Sequence, residues 1–180
     1  MELIHEKQKK AFRALKEKFG YTNALASPRL IKAVVSSGVG RASKDKQRVE
    51  IVADRLAKIT GQKAAPRAAK KAVASFKTRE GDIIGYQVTL RGKRMEGFLD
   101  KLFHVALPRT RDFRGISKKA VDASGNYTIG IREHAIFPEA ADEELKDIFG
   151  CAVTLVTSAK NRDEALAFLE HLGLPFAKTR

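Results

Sequence analysis

The chain has little of what cysteine, metal or membrane chemistry requires. A single cysteine, Cys151, stands among 180 residues, so neither an internal disulfide nor a cysteine-cluster zinc site is available. It lies in the apolar run CAVTLV, where a buried free thiol is expected. The four histidines, His5, His104, His134 and His171, are too scattered for metal-ligand spacing. His104 falls on the apolar side of a helix, a packed core position, whereas His5 and His171 read as surface positions. Glu133 and His134 are adjacent, but strand neighbours point to opposite faces, which weakens them as an acid–base pair. No Ser/His/Asp or Cys/His arrangement presents itself, so the expectation is a protein that is not an enzyme and holds no cofactor or metal. No apolar run reaches the roughly 18 residues of a membrane helix, and no basic helix also carries an exposed Trp/Phe face for lying on a membrane surface. The opening residues MELIHEKQKKAF carry charge where a signal peptide would be apolar, so a cytoplasmic location is expected. There is no internal repeat and no low-complexity tail.

What is abundant is positive charge. Lysine and arginine outnumber aspartate and glutamate by 35 to 21. Residues 1–120 hold 29 basic and 11 acidic side chains, a net of +18, while residues 121–180 hold 6 and 10, a net of −4. Solubility demands no such surplus, and repulsion among like charges works against a compact state. A polyanion neutralises the surplus and releases its own condensed counterions on binding. Nucleic acid is therefore the leading partner class.

Hydrophobic spacing divides the chain into interspersed helices and strands. Leu3–Phe19 reads as a basic amphipathic helix with Phe12, Leu15 and Phe19 on one stripe and Gly20 closing it. Leu30–Ser36 is strand-like, broken by Gly38-Val-Gly40. Lys44–Thr60 spaces Val49, Val52, Leu56 and Ile59 as a helix that Gly61 ends. Residues 63–79, KAAPRAAKKAVASFKTR, hold six basic and no acidic residues with little periodicity, which predicts an exposed, mobile basic loop between short strands. Ile84, Tyr86, Val88 and Leu90 alternate as a half-buried strand. Arg94–Leu107 is the clearest helix, stopped by Pro108. RTRDFRGISKK at 109–119 is a second irregular basic stretch. Tyr127, Ile129 and Ile131 alternate, Pro138–Phe149 reads as an acidic helix, Ala152–Val156 as a buried strand, and Asp163–Leu172 as a last helix. The predicted architecture is α+β: one domain over 1–180, with an antiparallel or mixed sheet, helices on one face, and the other face and basic loops open to RNA. The mobile loop spans about 68–82.

Gly38-Val-Gly40-Arg-Ala-Ser43 sits between a strand and a helix, where a dinucleotide-binding glycine motif belongs. Ser43 occupies the third glycine position, and no acidic residue ends a second strand about twenty residues on. A turn needing glycine's positive φ and close backbone approach is favoured over a phosphate or nucleotide site, which stays as the alternative function.

Aromatic side chains lie inside both basic stretches. Phe76 stands between Ser75 and Lys77, and its polar neighbours favour RNA stacking. Phe113 stands between Asp112 and Arg114, where anchoring the loop to the core is at least as good a reading. Around these stretches the sequence resembles a known family. Thr60-Gly-Gln-Lys63, Lys70-Lys71 and Ser75-Phe-Lys-Thr-Arg-Glu-Gly81 are similar to the middle of the universal large-subunit ribosomal protein five family. So are Val88-Thr-Leu-Arg-Gly92, Ala106-Leu-Pro-Arg109, Arg111-Asp-Phe-Arg-Gly115, Gly125-Asn-Tyr127 and Ile136-Phe-Pro-Glu139. Order and spacing hold from the first helix to Gly173-Leu-Pro-Phe176.

The resemblance implies a bacterial ribosomal protein of the central protuberance that binds 5S rRNA and also touches 23S rRNA. It implies neighbouring large-subunit proteins as partners, contact of the basic loop with P-site tRNA, and a bridge to small-subunit ribosomal protein thirteen. Carried onto matching positions, the 5S rRNA contacts are Ser36, Gln62, Lys63, Phe76, Thr89 and Arg91. The tRNA-contacting loop carries Lys70, Lys71, Lys77 and Arg79, and Arg109, Arg111 and Arg114 are other rRNA or bridge contacts. Two positions depart from the family. Ser36 stands where asparagine is usual and loses the amide's reach and second donor. Ala64 replaces a proline, leaving the loop entrance less constrained.

Overall fold

The structure, a computed structural model, describes residues 3–40, 45–140 and 148–177. Among them are the helices α1 (Ile4–Phe19), α2 (Lys46–Thr60), α3 (Gly92–Lys101) and α4 (Arg162–Leu172), and the strands β1 (Leu30–Gly38), β2 (Ala65–Ala68), β3 (Ile83–Leu90), β4 (Tyr127–Ile131) and β5 (Cys151–Thr157). The strands form one five-stranded sheet in the order β2-β3-β1-β5-β4, with β2 and β3 antiparallel. The α+β class expected from the interspersed pattern is what the chain adopts. Contacts divide it into two compact units: residues 1–33, 91–129 and 154–180, and residues 34–90 and 130–153.

In the first unit, α1 packs against α3 and α4. No side chain of its own caps α1 at Leu3. The Ile4 N–H instead donates to Asp100 Oδ1 of α3 at 2.9 Å, so an orphan amide of one helix start is satisfied by its neighbour. At the start of α4, Asn161 accepts the Glu164 N–H, and Glu164 reaches back to the Lys160 N–H at 2.7 Å. Two free amides are thus answered reciprocally. Glu164 is buried and also accepts the Tyr21 hydroxyl. Burial, reinforced by that carboxylate, pushes Tyr21 above the ordinary tyrosine range. In the second unit, α2 packs against β3. Asp45 caps α2 by accepting the Arg48 N–H at 3.2 Å.

Several boundaries differ from the sequence reading. Gly38 is the last residue of β1 and does not break it. Neither Gly38 nor Gly40 adopts positive φ, and a Cβ on either meets nothing within 4 Å. The positive φ and close approach expected of them are absent. The long helix of 94–107 begins at Gly92 and passes at Leu102–Ala106 into a π-helical turn. Glu133 and His134 lie at a 3₁₀ turn after β4, not on a strand. His134 is buried, stacks on Phe149 at 4.1 Å, and accepts the Phe149 N–H at Nδ1. Of the expected acidic helix 138–149, Pro138–Ala140 forms a 3₁₀ turn and 148–150 are not helical; 141–147 lie outside the described residues.

Burial alternates with the side-chain period of two along β4 and β5, over Ala33–Ser37 of β1 and over Tyr86–Leu90 of β3, whereas Ile84, expected on the inward side of β3, is exposed. Tyr86, Val88 and Leu90 of β3 point into the core, and Gln87 and Thr89 point out half-exposed. Gly85, on the outward side, has no space for a side chain: a Cβ there stands 2.8 Å from the Ser37 carbonyl oxygen.

Two outcomes follow. Gly85→Ala forces backbone apart and is expected to cost about 1–3 kcal/mol, read as a lower denaturant midpoint at unchanged slope. Burial raises the Cys151 thiol from 9.0 to about 12. The unfolded chain ionises it at the lower value, so its contribution to stability is whole below about pH 9 and is lost as pH rises towards 12. Stability of the wild type is expected to fall more steeply than that of Cys151→Ala across that window; parallel curves contradict it.

Candidate nucleic-acid interface

The outward side of the second unit's strands carries polar groups at fixed positions. Ser36 is half-exposed on β1, next to β3 in the sheet. Thr89 is half-exposed on β3, and the Gln62 amide donates to its carbonyl oxygen at 3.4 Å. That bond ties the turn after α2 to β3, so Gln62 and the exposed Lys63 are presented from a braced backbone. The same side holds a pair that the sequence reading missed. Arg67 of β2 donates through Nε to Gln87 Oε1 of β3 at 2.7 Å. The signal was available: Gln87 is two residues before Thr89 and shares its face by strand periodicity. Arg91 belongs to the first unit, exposed at the N-cap position of α3.

Residues 63–82 carry the basic loop on short-strand pairing. They contain β2, whose register pairs Ala65 with Gln87 and Arg67 with Gly85 and shifts after Arg67. Ala69 N–H donates to Asp82 O at 2.8 Å, and Gly81 N–H to Ala69 O at 3.0 Å. Val73 and Thr78 exchange backbone hydrogen bonds of 3.1 and 3.3 Å across the hairpin. Ala74–Phe76 make a 3₁₀ turn at the tip, closed by Lys77 at φ 51°. The loop is therefore a hydrogen-bonded extension of the β2–β3 hairpin. Alternating small and basic residues hid it, because no apolar face marks it.

Lys70, Lys71, Lys77 and Arg79 are all exposed on this extension. None is held in an ion pair with a described residue. Asp82 spends its carboxylate on the Arg79 backbone N–H at 2.7 Å. Phe76 is 77 % exposed at the tip, so it packs on no core and leaves a ring face free beside cations. Arg109, Arg111 and Arg114 are exposed in the first unit, between the end of the π-helical turn and Gly115, while Phe113 between them is half-buried.

Other chemistry finds no footing. Among the described residues, no cluster of His, Cys, Asp and Glu is arranged to hold a metal, and no helix is long and apolar enough to cross a membrane. The Gly38–Gly40 segment leads to a helix start that Asp45 already caps with a carboxylate. That negative charge stands where a nucleotide's phosphate would seek the helix amides. Arg41–Ser43 lie outside the described residues.

Comparison with known proteins bears on the whole chain. A profile described as ribosomal protein L5 matches residues 23–79, and a second, described as the C-terminus of that ribosomal family, matches residues 83–176. The large ribosomal subunit protein uL5 of Trichlorobacter lovleyi is 50% identical over 169 residues, 94% of each chain. That of Flavobacterium johnsoniae is 50% identical over 98% of this chain and 96% of its own. That of a Thermoanaerobacter species is 46% identical over 99% and 100%.

The hairpin geometry makes its own prediction. The Ala69, Val73 and Thr78 amides are expected to exchange with deuterium at least tenfold more slowly than the unbonded amides of the same segment. Uniformly fast exchange from 69 to 81 is the signature of the structureless loop instead.

Proposed function

This chain belongs to the ribosomal protein L5 family and is a structural constituent of the large subunit of the cytoplasmic ribosome, not an enzyme, and we propose that within it the chain binds 5S rRNA and helps attach it to 23S rRNA in the central protuberance. The observation that carries this reading is the outward side of β1 and β3. Ser36, Gln87 and Thr89 supply fixed donors and acceptors there, Gln62 is braced against Thr89, and Arg67 is oriented by Gln87. Hydroxyls and amides at set spacing suit ribose and base edges, and Lys63 and Arg91 beside them in the sequence supply phosphate partners. Phe76 offers a ring for a base that RNA loops leave unstacked. The chain acts as one RNA-binding domain: β1, β4 and β5 each contribute residues to both of its units.

The hairpin extension is given a second task. Lys70, Lys71, Lys77 and Arg79 lie beyond the paired part of β2 and β3, on a projection with an exposed tip, which suits contact with P-site tRNA. Arg109, Arg111 and Arg114 serve other rRNA contacts or the bridge to small-subunit ribosomal protein thirteen. The acidic residues among 121–180 face protein or solvent, since their charge repels phosphate. Glu139 is exposed at its 3₁₀ turn; Asp142, Glu143 and Glu144 lie outside the described residues.

The two tasks separate by mutation. Arg91→Ala is expected to weaken 5S rRNA binding by about 1–3 kcal/mol, the range for a charge-assisted hydrogen bond left unmade. Lys70→Ala with Lys71→Ala is expected to leave 5S affinity nearly unchanged and to loosen tRNA held between assembled subunits. A gel shift with tRNA and duplex DNA as competitors reads the first, and tRNA dissociation from ribosomes reads the second. Equal losses of 5S affinity in both variants make the cations one diffuse patch and remove the division of labour.

A further inference from the structure

The second basic stretch is irregular in sequence but fastened in the fold. Ile116 pairs with Phe176 as a parallel bridge: its N–H donates to Pro175 O at 2.8 Å, and the Ala177 N–H donates to Ile116 O at 3.0 Å. Gly115 makes this possible. It stands at φ 97°, and a Cβ on it lies 2.5 Å from the Ala177 nitrogen, so the two backbones touch where any side chain would be. The next residues are held as well. Tyr127 Oη donates to Ser117 O at 2.9 Å while its ring meets Phe176 edge-on at 5.6 Å. Lys118 lies over the Phe176 ring and pairs with Glu170, and Arg162 donates to Lys118 O.

The fastening begins one residue after Arg114. At the other end, the Thr110 N–H donates to Leu107 O at 3.0 Å, which fixes the exit from the π-helical turn. Arg111–Arg114 are thus strung between two pinned ends, and Asp112 is held at φ 52°. A side-chain-bearing residue keeps that conformation only where its surroundings impose it. Lys118 is neutralised within the fold, but Arg109, Arg111 and Arg114 are exposed and held in no ion pair with a described residue.

We infer that Pro175–Ala177 is a latch whose task is to hold Arg111 and Arg114 ready for the phosphate backbone of 23S rRNA. This rests on the reading of those arginines as rRNA contacts and commits it to one ligand and one positioning device. Guanidinium groups match phosphate with two parallel hydrogen bonds, but only if the backbone beneath them is fixed before the ligand arrives. Gly115 and Phe176 are positioning residues: they touch no RNA and act through the arginines.

The test uses the full-length protein with two probes, protein-free 23S rRNA and 5S rRNA, each titrated at several salt concentrations. The variants are Gly115→Ala; Pro175→Gly with Phe176→Gly; and Arg111→Gln with Arg114→Gln. The double glycine variant opens the latch with Gly115 intact, which covers the case that Gly115→Ala fails to fold. The expected result is that latch and arginine variants lose the same affinity for 23S rRNA, roughly tenfold or more. Their plots of log K against log salt should be shallower by about two, as phosphate contacts are lost. Combining latch and arginine changes should add nothing, because both remove one interaction. Affinity for 5S rRNA should stay within about threefold, so a failure of the latch and a failure of the 5S reading appear on different probes. Latch variants that keep the full 23S affinity and slope overturn the inference, as do additive losses. Arginine variants that change neither quantity overturn it too, and assign the segment to an acidic protein surface or to solvent.

Discussion

Over Tyr86–Leu90 of β3, as along β4 and β5, every second side chain is buried, and the residues between them are then turned outward whether or not anything waits there. The proposed RNA face depends on that constraint. In β3 the inward set is Tyr86, Val88 and Leu90, and the outward set between them is Gln87 and Thr89. A one-residue slip would put tyrosine and leucine outside and the amide inside, so core packing fixes the register of the polar groups as firmly as it fixes the core. Gly85 tightens the same arrangement by letting β3 come against the Ser37 carbonyl. The outward amide and hydroxyls therefore keep a geometry that RNA can be recognised against, instead of ordering only when it binds.

Charge supplies what shape does not. The surplus of lysine and arginine lies in residues 1–120, and part of it is turned to solvent. Lys118 pairs with Glu170 and Lys58 with Asp54, but the cations of the hairpin extension and of the arginine stretch face solvent. Exposed pairs contribute little to stability in any case. Their value lies in binding, where each phosphate neutralised frees counterions. In the proposed function the polar face selects and the cations attract, a division usual in nucleic-acid recognition.

Much of this was legible in the sequence because it rests on periodicity. The helices α1, α2 and α4 were marked by apolar stripes and by glycines at their ends, and β3 and β4 by strict alternation. What stayed hidden depends on backbone alone or on distant partners. Nothing in KAAPRAAKKAVASF distinguishes a paired hairpin from an open loop, since its pairing uses main-chain groups and small side chains. The π-helical turn at Leu102–Ala106 leaves the apolar spacing intact. Gly38 and Gly40 read as positions needing positive φ and close approach and show neither, whereas a Cβ on Gly85 or Gly115 would run into backbone. The Asp100 cap on α1 and the Arg67–Gln87 pair join residues far apart in the sequence, which a local reading does not reach. The functional class came from charge imbalance, and the finer assignments of residues to 5S rRNA and tRNA came from family resemblance.

The central claim is that this chain recognises 5S rRNA through a braced polar face aided by phosphate neutralisation. The most direct measurement is the affinity of the full-length protein for 5S rRNA across salt concentration, with a duplex DNA of equal length alongside. Five to eight phosphate contacts predict a log–log slope of about −4 to −7 for 5S rRNA. They also predict an affinity for 5S rRNA well above that for the duplex at every salt concentration, because the polar face adds a contribution that salt does not screen. A nearly flat plot, or equal affinity for RNA and DNA throughout, contradicts the account.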